Sequence, residues 1–357
     1  MRIGIDGSAL TNPQSTGVEV ATRELIYALL QLDHDQQYIL YAPAALPQRF
    51  QGFPNVINRI IPPAKFWTQT ALSDAIAGDN LDVFWSPSNI LPRKLPVKVL
   101  ATVHDLAFMK FPRAYSWRSW LGSWLTVKRA RRFATKIITV SQQTKTDLIK
   151  YFHTLPEQIT VIYNALPFTV ANLEPTGLSV PEKFLLVVGR VEPRKNPFNI
   201  IHAFAELAAG YPDLHLVFAG PLGRHAGQAE GLARRYGLNH HIHWLGFVTE
   251  VGLNYLYSRA LLLLFPSLYE GFGLPILEAF AHDLPVVTSN SGALQEIAGQ
   301  AAVLVEPTSS SSIAGGIRRL LDNSNTKAQY VAMGRERLSD FSWERSAQQL
   351  LDLINSL

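Results

Sequence analysis

The feature that most constrains the fold of this chain is a regular alternation of short apolar runs with amphipathic segments of helix length. Near the N-terminus the run "RIGID" (2–6) precedes a helical pattern from about Val18 to Leu32. In the second half "LHLVFAG" (214–220) precedes a helical pattern near 225–236. Apolar strands that alternate with helices are typical of parallel sheets covered on both faces. The sequence therefore predicts an α/β protein with doubly wound sheets.

A proline-containing stretch, "NALPFTVANLEPTGLSVPE" (164–182), interrupts this alternation and is interpreted as a linker. A chain of 357 residues is long for one core, so two domains are expected. The predicted boundaries are an N-terminal Rossmann-like domain over 1–168, a linker over 169–182 and a second Rossmann-like domain over 183–341. The last segment, 342–357, is predicted to be a helix that packs back toward the N-terminal domain. Ligands are expected in the βα loops, beyond the carboxyl ends of the strands.

Composition excludes several classes of protein. With no cysteine, disulfides and thiolate metal sites are excluded, which fits a reducing compartment. The longest apolar run, "ALLLLF" (260–265), is far shorter than the roughly 20 residues that span a bilayer, and "MRIGIDGSAL" has no stretch typical of a secretory signal. We therefore expect a cytoplasmic protein, either free or at the inner face of the cytoplasmic membrane. The net charge of +4 favours an anionic partner, but no nucleic-acid module is recognised and nucleic acid is not expected.

Two cations follow the first predicted strand of the second half. In "VVGRVEPRKNP" (187–197), Arg190 comes just after the strand and Lys195 stands at the entrance to the next helix. Cations beside the positive end of a helix dipole suit a diphosphate. Taken alone, however, such side chains are also typical of solvated loop charges.

The run "FPSLYEGFGLPILEAFA" (265–281) places Glu270 and Glu278 on either side of two glycines. Glycines let backbone N–H groups approach a ligand closely, and Pro275 suits the first turn of a helix. Carboxylates repel a diphosphate, so these two should face hydroxyl groups, from which they accept hydrogen bonds. A nucleotide-sugar has this layout, with a polyol at each end and a diphosphate between.

From about residue 184 to 290 the chain resembles the retaining GT-B glycosyltransferases of the glycosyltransferase-4 type. Their Glu-x7-Glu signature is matched by Glu270-GFGLPIL-Glu278, and their "GR…P.KN" run is matched over 190–196. Other landmarks are matched by "TVHDL" (102–106), "TVSQQTKTDL" (139–148), "VIYNA" (161–165) and the succession from Leu245 to Ala281. The resemblance implies two doubly wound domains facing each other across a cleft. The first would bind the acceptor and the second the nucleotide-sugar.

The resemblance also implies roles for residues of the second domain. Arg190 and Lys195 would hold the donor diphosphate and balance charge on the leaving group. Glu278 would bind the ribose hydroxyls, and Glu270 would face the transferred sugar. The implied catalytic residues are His104, Arg190, Lys195 and Glu270. The implied donor-binding residues are Gly17, Arg190, Lys195, Glu270, Gly271, Phe272, Gly273, Leu274 and Glu278.

The resemblance also implies roles for residues of the first domain. His104 would lie close to the sugar, while Asp105 would orient that histidine or meet the acceptor, and Ser141 is a further acceptor-side candidate. Gly17 matches the glycine of the first βα loop, where the family often has a pair and this chain has one. The sequence "YNAL" replaces the usual Asn-Gly-Val. Both departures concern the acceptor side and neither touches the diphosphate site.

The implied reaction is transfer of a hexose, with retention, from a nucleotide-sugar to a saccharide or lipid-linked saccharide acceptor. The family offers no obvious enzymic nucleophile, and in the usual proposal a leaving phosphate oxygen takes the acceptor proton. Neither a metal nor a cofactor is expected, because the nucleotide-sugar is a co-substrate. Mannose from GDP-mannose is the preferred donor, in polysaccharide or O-antigen type synthesis. The alternatives are a sugar phosphorylase of the same fold and a non-catalytic nucleotide-sugar-binding or scaffold protein.

Two patterns resemble metal sites. Asp33-His34-Asp35 is an Asp-x-Asp motif, but it falls at the end of the first helix and is interpreted as a solvated helix end. His241 and His243 share one face of a strand at a chelating spacing. No third ligand is evident near them in the sequence, so a structural interpretation is preferred.

The segment 110–134 carries Trp117, Trp120 and Trp124 at helical spacing. Four basic residues follow them: Lys128, Arg129, Arg131 and Arg132. A basic helix with tryptophans can lie on an anionic membrane, at roughly 1 kcal/mol per basic residue. In the alternative, the tryptophans pack inward and the basic residues are solvated or meet an acceptor phosphate. Peripheral contact with an anionic membrane is therefore one of two interpretations of this segment.

Overall fold

A computed structural model describes residues 1–12, 16–94, 97–166, 177–223 and 225–357 of the protein. The chain forms two compact units, one of Met1–Pro167 together with Phe341–Leu357 and the other of Phe168–Asp340. Most of the predicted linker, residues 169–176, lies outside the described residues. Each unit is built around one parallel sheet.

The sheet of the first unit has seven strands within the described residues. They are β1 (Arg2–Asp6), β2 (Gln37–Ala42), β3 (Val56–Ile60), β4 (Val83–Ser86), β5 (Lys98–Val103), β6 (Lys136–Thr139) and β7 (Ile159–Val161). Their order across the sheet is β3-β2-β1-β4-β5-β6-β7, and every pair is parallel. In register, Ile3 pairs with Val83 and Leu100 with Lys136. The strands can all be parallel because the crossover connections return the chain to the same end of the sheet.

The helices of this unit connect the strands. They are α1 (Gly17–Leu32), α2 (Ala71–Ala77), α3 (Ala107–Lys110), α4 (Trp117–Phe133) and α5 (Gln142–Phe152). At the start of α1, Thr16 and Glu19 form a reciprocal capping box, with the Thr16 N–H donating to Glu19 at 2.7 Å. Such caps satisfy N–H groups that have no partner inside the helix.

The sheet of the second unit has six strands in the described part of the chain. They are β8 (Phe184–Val188), β9 (His215–Ala219), β10 (Ile242–Gly246), β11 (Leu262–Phe265), β12 (Val286–Ser289) and β13 (Val303–Val305). Their order is β10-β9-β8-β11-β12-β13, again all parallel. The helices are α6 (Pro197–Ala208), α7 (Ala226–Arg235), α8 (Glu250–Arg259), α9 (Leu274–Ala281), α10 (Gly292–Ala298), α11 (Ser310–Leu321) and α12 (Ser324–Leu338).

The last helix, α13 (Trp343–Asn355), belongs to the first unit and packs against α1. Its apolar face is buried in the same core as the first sheet, with Leu350 and Ile354 fully buried. Two hydrogen bonds add to this contact. The Trp343 indole donates to the carbonyl of Leu166 at 2.7 Å, and the Ser346 hydroxyl donates to the carbonyl of Tyr163 at 2.7 Å.

The predicted α/β class, with two doubly wound parallel sheets, is confirmed. The strand predicted at 2–6 is present with the same ends, and the strand predicted at 214–220 is one residue shorter at each end. Sequence reasoning did not assign β2, β3, β7 and β13. Three of these, β3, β7 and β13, are edge strands, and β7 and β13 have only three residues each. Short edge strands bury little surface and leave a weak periodic signal.

Candidate active site

The strand order of the second sheet creates a switch point between β8 and β11. From β8 the chain proceeds to β9 and β10 on one side, and later strands extend the sheet from β11 on the other. Open α/β sheets bind ligands beyond the carboxyl ends of the strands at such a point. The loop after β8 carries Arg190 and Lys195, and the loop after β11 carries Glu270. The charged residues predicted from sequence therefore follow two adjacent strands at this switch point.

Glu270 is buried between two cations from the loop after β8. Lys195 Nζ lies 2.7 Å from Glu270 Oε1, and Arg194 Nη1 lies 2.5 Å from Glu270 Oε2. Only 10% of the Glu270 side chain is exposed. Burial raises the pKa of Glu270, but the charges of Lys195 and Arg194 outweigh it and hold that pKa below its ordinary value. Arg194, Lys195 and Glu270 are named here the ion-pair cluster.

Lys195 is the most enclosed cation of this cluster. Its side chain is 15% exposed, and its Nζ lies 4.7 Å from the centre of the Phe265 ring. A Cβ at Gly189, where φ is 119°, would lie 3.1 Å from Lys195 Cε. Burial lowers the pKa of Lys195, while the charge of Glu270 opposes the shift. The absence of a side chain at Gly189 therefore leaves the space in which this cation is held.

Arg194 is a residue of the cluster that sequence reasoning missed. Besides Glu270, its guanidinium contacts Glu192 Oε1 at 2.8 Å and the carbonyl oxygen of Tyr269 at 3.2 Å. The available signal was its position beside Lys195, since a guanidinium can contact two carboxylates at once. Arg190, which was predicted to bind the diphosphate together with Lys195, is exposed on the same loop.

Asn196 holds the loop after β8 against two neighbouring loops. Its backbone is left-handed, with φ 63° and ψ 37°, a conformation that asparagine adopts more readily than most residues. The side-chain amide donates to the carbonyls of Pro266 at 2.9 Å and Pro307 at 2.6 Å. The N–H of Leu268 also donates to the carbonyl of Arg194 at 2.8 Å. These bonds fix the two loops that carry the ion-pair cluster.

The glycine turn before α9 requires glycine at position 273. The backbone of Gly273 has φ 126° and ψ 48°, and a Cβ there would lie 2.9 Å from Leu294 Cδ2. Both conformation and space therefore exclude a side chain. The helix begins at Leu274 with Pro275 in its first turn, as predicted. Two other predicted donor-binding residues are buried in this turn: Gly271 and Phe272.

Glu278, in the second turn of α9, is paired with Tyr257 of α8. The Tyr257 hydroxyl donates to Glu278 Oε2 at 2.5 Å, and the two residues are 1% and 7% exposed. Burial raises the pKa of Glu278 to about 7, although the Tyr257 hydrogen bond and the charge of Lys195 act to lower it. Tyr257 is a second residue that sequence reasoning missed, because a tyrosine in an amphipathic helix does not indicate a carboxylate partner.

In the first unit His104 follows β5, and its ring is held by a backbone carbonyl. The ring Nε2 lies 2.8 Å from the oxygen of Pro87, and Nε2 carries the proton because a carbonyl oxygen only accepts. Burial lowers the pKa of His104, which favours the neutral ring with Nδ1 as an acceptor. Asp105 Oδ1 accepts the N–H of Ala107 at 2.9 Å. The Pro87 carbonyl orients the ring, and both predicted roles of Asp105, orienting His104 or meeting the acceptor, stay predictions.

Ser141 and Gly17 both lie at helix starts. Ser141 is fully buried, and its Oγ accepts the N–H of Thr144 at 3.1 Å as the N-cap of α5. Gly17 is the exposed first residue of α1, directly after the cap residue Thr16. Capping of α5 is sufficient to explain a serine at position 141. The acceptor-side role of Ser141 and the donor-side role of Gly17 stay predictions.

Two family models match the chain, one in each half. The model described as Glycosyltransferase Family 4 matches residues 15–168, and that described as Glycosyl transferases group 1 matches residues 171–337. The chain belongs to the glycosyltransferase-4 family. The resemblance seen in the sequence motifs is thereby confirmed.

Curated relatives of this glycosyltransferase include two named mannosyltransferases. O-antigen chain mannosyltransferase B of Escherichia coli is 28% identical over 287 residues, covering 77% of this chain and 74% of the relative. MMP alpha-(1->4)-mannosyltransferase of Mycolicibacterium hassiacum is 29% identical over 269 residues, covering 72% of this chain and 64% of the relative.

Solved structures with the GT-B fold are similar over the whole chain. Sucrose-phosphate synthase of Thermosynechococcus elongatus has a TM-score of 0.78 at 21% identity, covering 99% of this chain and 98% of that one. Anabaena HepE, solved with UDP and glucose, has a TM-score of 0.74 at 20% identity, covering 100% and 99%. These likenesses confirm the GT-B fold that the resemblance implied.

The interpretation of Asp33-His34-Asp35 as a solvated helix end is wrong for its first residue. Asp33 is 6% exposed, and its Oδ2 accepts the hydroxyl of Tyr38 at 2.5 Å. His34 and Asp35 are exposed, as expected. The chain turns directly from α1 into the buried strand β2, which brings Tyr38 over the carboxylate.

A third histidine that was not evident from the sequence lies beside His241 and His243. His215, on the neighbouring strand β9, has its Nδ1 3.0 Å from His243 Nε2, and its ring centre is 5.0 Å from that of His241. Parallel pairing of β9 with β10 brings these residues together, which the sequence spacing did not reveal. No group of three or more His, Cys, Asp or Glu side chains that could hold a metal ion is found among the described residues.

Helix α4 of the glycosyltransferase divides its tryptophans between two environments. Trp120 and Trp124 pack against the core and stack on each other, with ring centres 6.5 Å apart. Trp117, by contrast, is 70% exposed. The prediction that the tryptophans pack inward therefore holds for two of the three. Across the described residues, no helix is long and apolar enough to cross a membrane.

Proposed function

We propose that this glycosyltransferase moves a hexose from a nucleotide-sugar to a saccharide or lipid-linked saccharide acceptor, with retention at the anomeric carbon. The observation that carries the proposal is the buried ion-pair cluster at the switch point of the second sheet, with Glu278 in the next helix. Cations suit the diphosphate of such a donor, and carboxylates suit the hydroxyl groups on either side of it. The nucleotide-sugar accounts for both kinds of charge at once.

The ion-pair cluster supports a specific sequence of contacts. In this cluster the Glu270 carboxylate neutralises the charge of Lys195 at 2.7 Å. A bound diphosphate takes over this role, which frees the Glu270 carboxylate to accept hydrogen bonds from the transferred sugar. Arg190, exposed on the same loop, adds a further cation. Side chains then balance the charge of the leaving nucleoside diphosphate, which supports a reaction that needs no metal ion.

The retaining step breaks the bond between the anomeric carbon and the donor phosphate oxygen. The bond to the acceptor oxygen forms on the same face of the sugar, and the acceptor proton passes to the leaving phosphate oxygen. His104 is assigned to the sugar through its Nδ1 acceptor, because its Nε2 is engaged by Pro87. Asp105 and the start of α1 at Gly17 are assigned to the acceptor and donor sides by family resemblance.

The donor we propose is GDP-mannose, in polysaccharide or O-antigen type synthesis. Both relatives described above carry the name mannosyltransferase, and one of them is named for the O-antigen chain. HepE, of the same fold, was solved with UDP and glucose, so the nucleotide base is the first property to test.

A thermal-shift screen against GDP, UDP, ADP, dTDP and CDP, with and without EDTA, tests the donor class. A ligand at 100 times its Kd stabilises the fold by about 2.7 kcal/mol, and we expect GDP to give this shift in the presence of EDTA. Transfer from the matching sugar nucleotide then tests turnover. No shift with any of the five, together with turnover that requires inorganic phosphate, would identify a sugar phosphorylase. No shift and no turnover would indicate a non-catalytic scaffold protein.

We also propose that α4 contacts an anionic membrane surface, where a lipid-linked acceptor would be found. Trp117, Leu121 and Leu125 follow one another at four-residue spacing on one helix face and are 70%, 38% and 51% exposed. Several basic residues of the same helix are exposed beside them: Arg118, Lys128, Arg131 and Arg132. Exposed apolar side chains flanked by cations are typical of helices that lie in a bilayer interface.

Co-sedimentation with vesicles of phosphatidylglycerol and phosphatidylcholine at low salt tests this surface. We expect the wild-type chain to pellet with the anionic vesicles and the double variant Trp117→Ser, Leu125→Ser to stay in the supernatant. Ile60→Ser, at an exposed apolar position on the edge strand β3, is the matched control and should pellet normally. A wild-type chain that stays in the supernatant would exclude the membrane contact, while leaving the donor proposal untouched.

A further inference from the structure

We propose that Tyr257 is a positioning residue that presents the Glu278 carboxylate to the ribose of the donor. This inference rests on the proposed nucleotide-sugar donor and goes beyond it. The Tyr257 hydroxyl on α8 donates to Glu278 Oε2 on α9 at 2.5 Å. Because Oε2 is engaged by this bond, Oε1 is the oxygen that can accept a ribose hydroxyl. Tyr257 thus acts on the ligand through Glu278.

Tyr257 is itself held in place by burial and by a ring contact. It is 1% exposed, and its ring stacks on His282 with centres 5.3 Å apart. His282 is anchored in turn, with Nδ1 2.7 Å from the carbonyl oxygen of Glu278 and Nε2 2.9 Å from Asn254 Oδ1. A side chain so enclosed has one position, so the direction of its hydrogen bond is fixed.

The charges around Glu278 make this hydrogen bond important for its ionisation. Burial disfavours the ionised form of Glu278, and the charge of Glu250 at the start of α8 disfavours it further by repulsion. Lys195 and the Tyr257 hydroxyl favour the carboxylate. A hydrogen bond donated to the charged form stabilises that form. Removing the hydroxyl is therefore expected to raise the pKa of Glu278 above its present value of about 7.

Helix α9 also packs against α10, α12 and two strands of the sheet, and the titratable residue of α10, Glu296, is half-buried. On α12, Arg335 pairs with Asp283 in an exposed ion pair, and Arg337 donates to the carbonyls of Ile297 and Glu296. The strands beneath α9, β11 and β12, contribute no titratable side chain. Besides burial, which is the largest cause, Tyr257, Lys195 and Glu250 influence the ionisation of Glu278.

The test compares a nucleoside diphosphate with its 2′,3′-dideoxy form on wild-type and Tyr257→Phe chains, using GDP and 2′,3′-dideoxy-GDP or the corresponding pair for the base that binds best. At pH 8 we expect the wild-type chain to bind the ribose form about 10- to 100-fold more tightly, as for a hydrogen bond to a charged group. In Tyr257→Phe this preference should fall to a few-fold, roughly, while the affinity for the dideoxy form is retained. Tyr255→Phe, the same change two residues earlier on α8, is the control.

The pH dependence gives a second readout that a merely structural role would not move. In the wild-type chain the preference for ribose should grow as the pH rises through about 7, because Glu278 then ionises. In Tyr257→Phe this growth should move to higher pH. If the variant weakens both nucleotides equally, Tyr257 only supports the fold and the inference is wrong. If no nucleoside diphosphate binds the wild-type chain at all, the donor proposal itself fails.

Discussion

The predicted site residues of the two units are held in place in different ways. In the second unit the charged side chains contact one another, with Lys195 and Glu270 2.7 Å apart and Glu278 bonded to Tyr257. In the first unit His104 and Ser141 are bonded to the backbone of neighbouring residues. A buried charge requires a partner side chain or a ligand, whereas a buried hydroxyl or imidazole can form its hydrogen bond with nearby backbone groups. The proposed donor side is therefore recognisable from its side-chain contacts, and the proposed acceptor side is not.

The largest effect that tests this comparison is expected from Glu270→Gln. The rate of sugar transfer should fall by about 10²- to 10³-fold, because the variant lacks the negative charge that we propose stabilises the positive charge developing on the sugar. Binding of the nucleoside diphosphate should be retained or tightened, because Lys195 loses its competing partner. Steady-state transfer and a thermal-shift titration measure the two quantities. Glu192→Gln, which also removes a partner of Arg194, should lose less activity. Normal turnover of Glu270→Gln would remove Glu270 from the sugar site.

Next in size is the pH dependence of stability due to Glu278. The pKa of this residue is about 7 in the fold, and its ordinary value is 4.5. Its contribution to the free energy of unfolding is therefore fully present below pH 4.5 and is lost as the pH rises to 7. The loss amounts to about 3 kcal/mol. Urea unfolding at pH 5 and pH 8 should show most of this loss in the wild-type chain and not in Glu278→Gln. Parallel pH profiles of the two chains would contradict the raised pKa.

A smaller effect is expected from Lys195→Met, which keeps the apolar stem over Phe265 and removes the charge. Affinity for a nucleoside diphosphate should fall by about 10- to 100-fold, the range of one hydrogen bond to a charged group. Arg190→Met, on the exposed part of the same loop, should cost less, because exposed charges are screened by solvent. Isothermal titration measures both. Equal losses would show that the exposed arginine holds the diphosphate as strongly as the buried lysine.

The smallest effect concerns the first unit. Ser141→Ala should lower the free energy of unfolding by about 1 kcal/mol through loss of the α5 cap. Ser116→Ala removes the corresponding cap of α4 and is the matched control. Because the Ser141 hydroxyl is buried and engaged, we expect the KM for the acceptor to be unchanged in both variants. A KM raised in Ser141→Ala alone would support the acceptor role predicted from the sequence.

Much of the second unit could be predicted from its sequence. The Glu-x7-Glu spacing, the helix start at Leu274 and the cations after β8 all belong to single loops, where sequence neighbours are also spatial neighbours. The partners Arg194 and Tyr257 were missed for different reasons. Arg194 stands in the right loop, but its position beside Lys195 does not by itself distinguish it from a solvated charge. Tyr257 reaches Glu278 across 21 residues, through the packing of α8 on α9.

The sequence by itself determined the α/β class, the two parallel sheets and the family, because these follow from periodicity and from motifs within short stretches of chain. Only the tertiary structure decided which charges meet. It joined Glu270 to Lys195 and Arg194, gave Glu278 a tyrosine and a raised pKa, and brought His215 to two other histidines. These outcomes depend on the order of strands in the sheet and on burial. Both are properties of the packed chain, since a side chain is desolvated only by residues that fold against it.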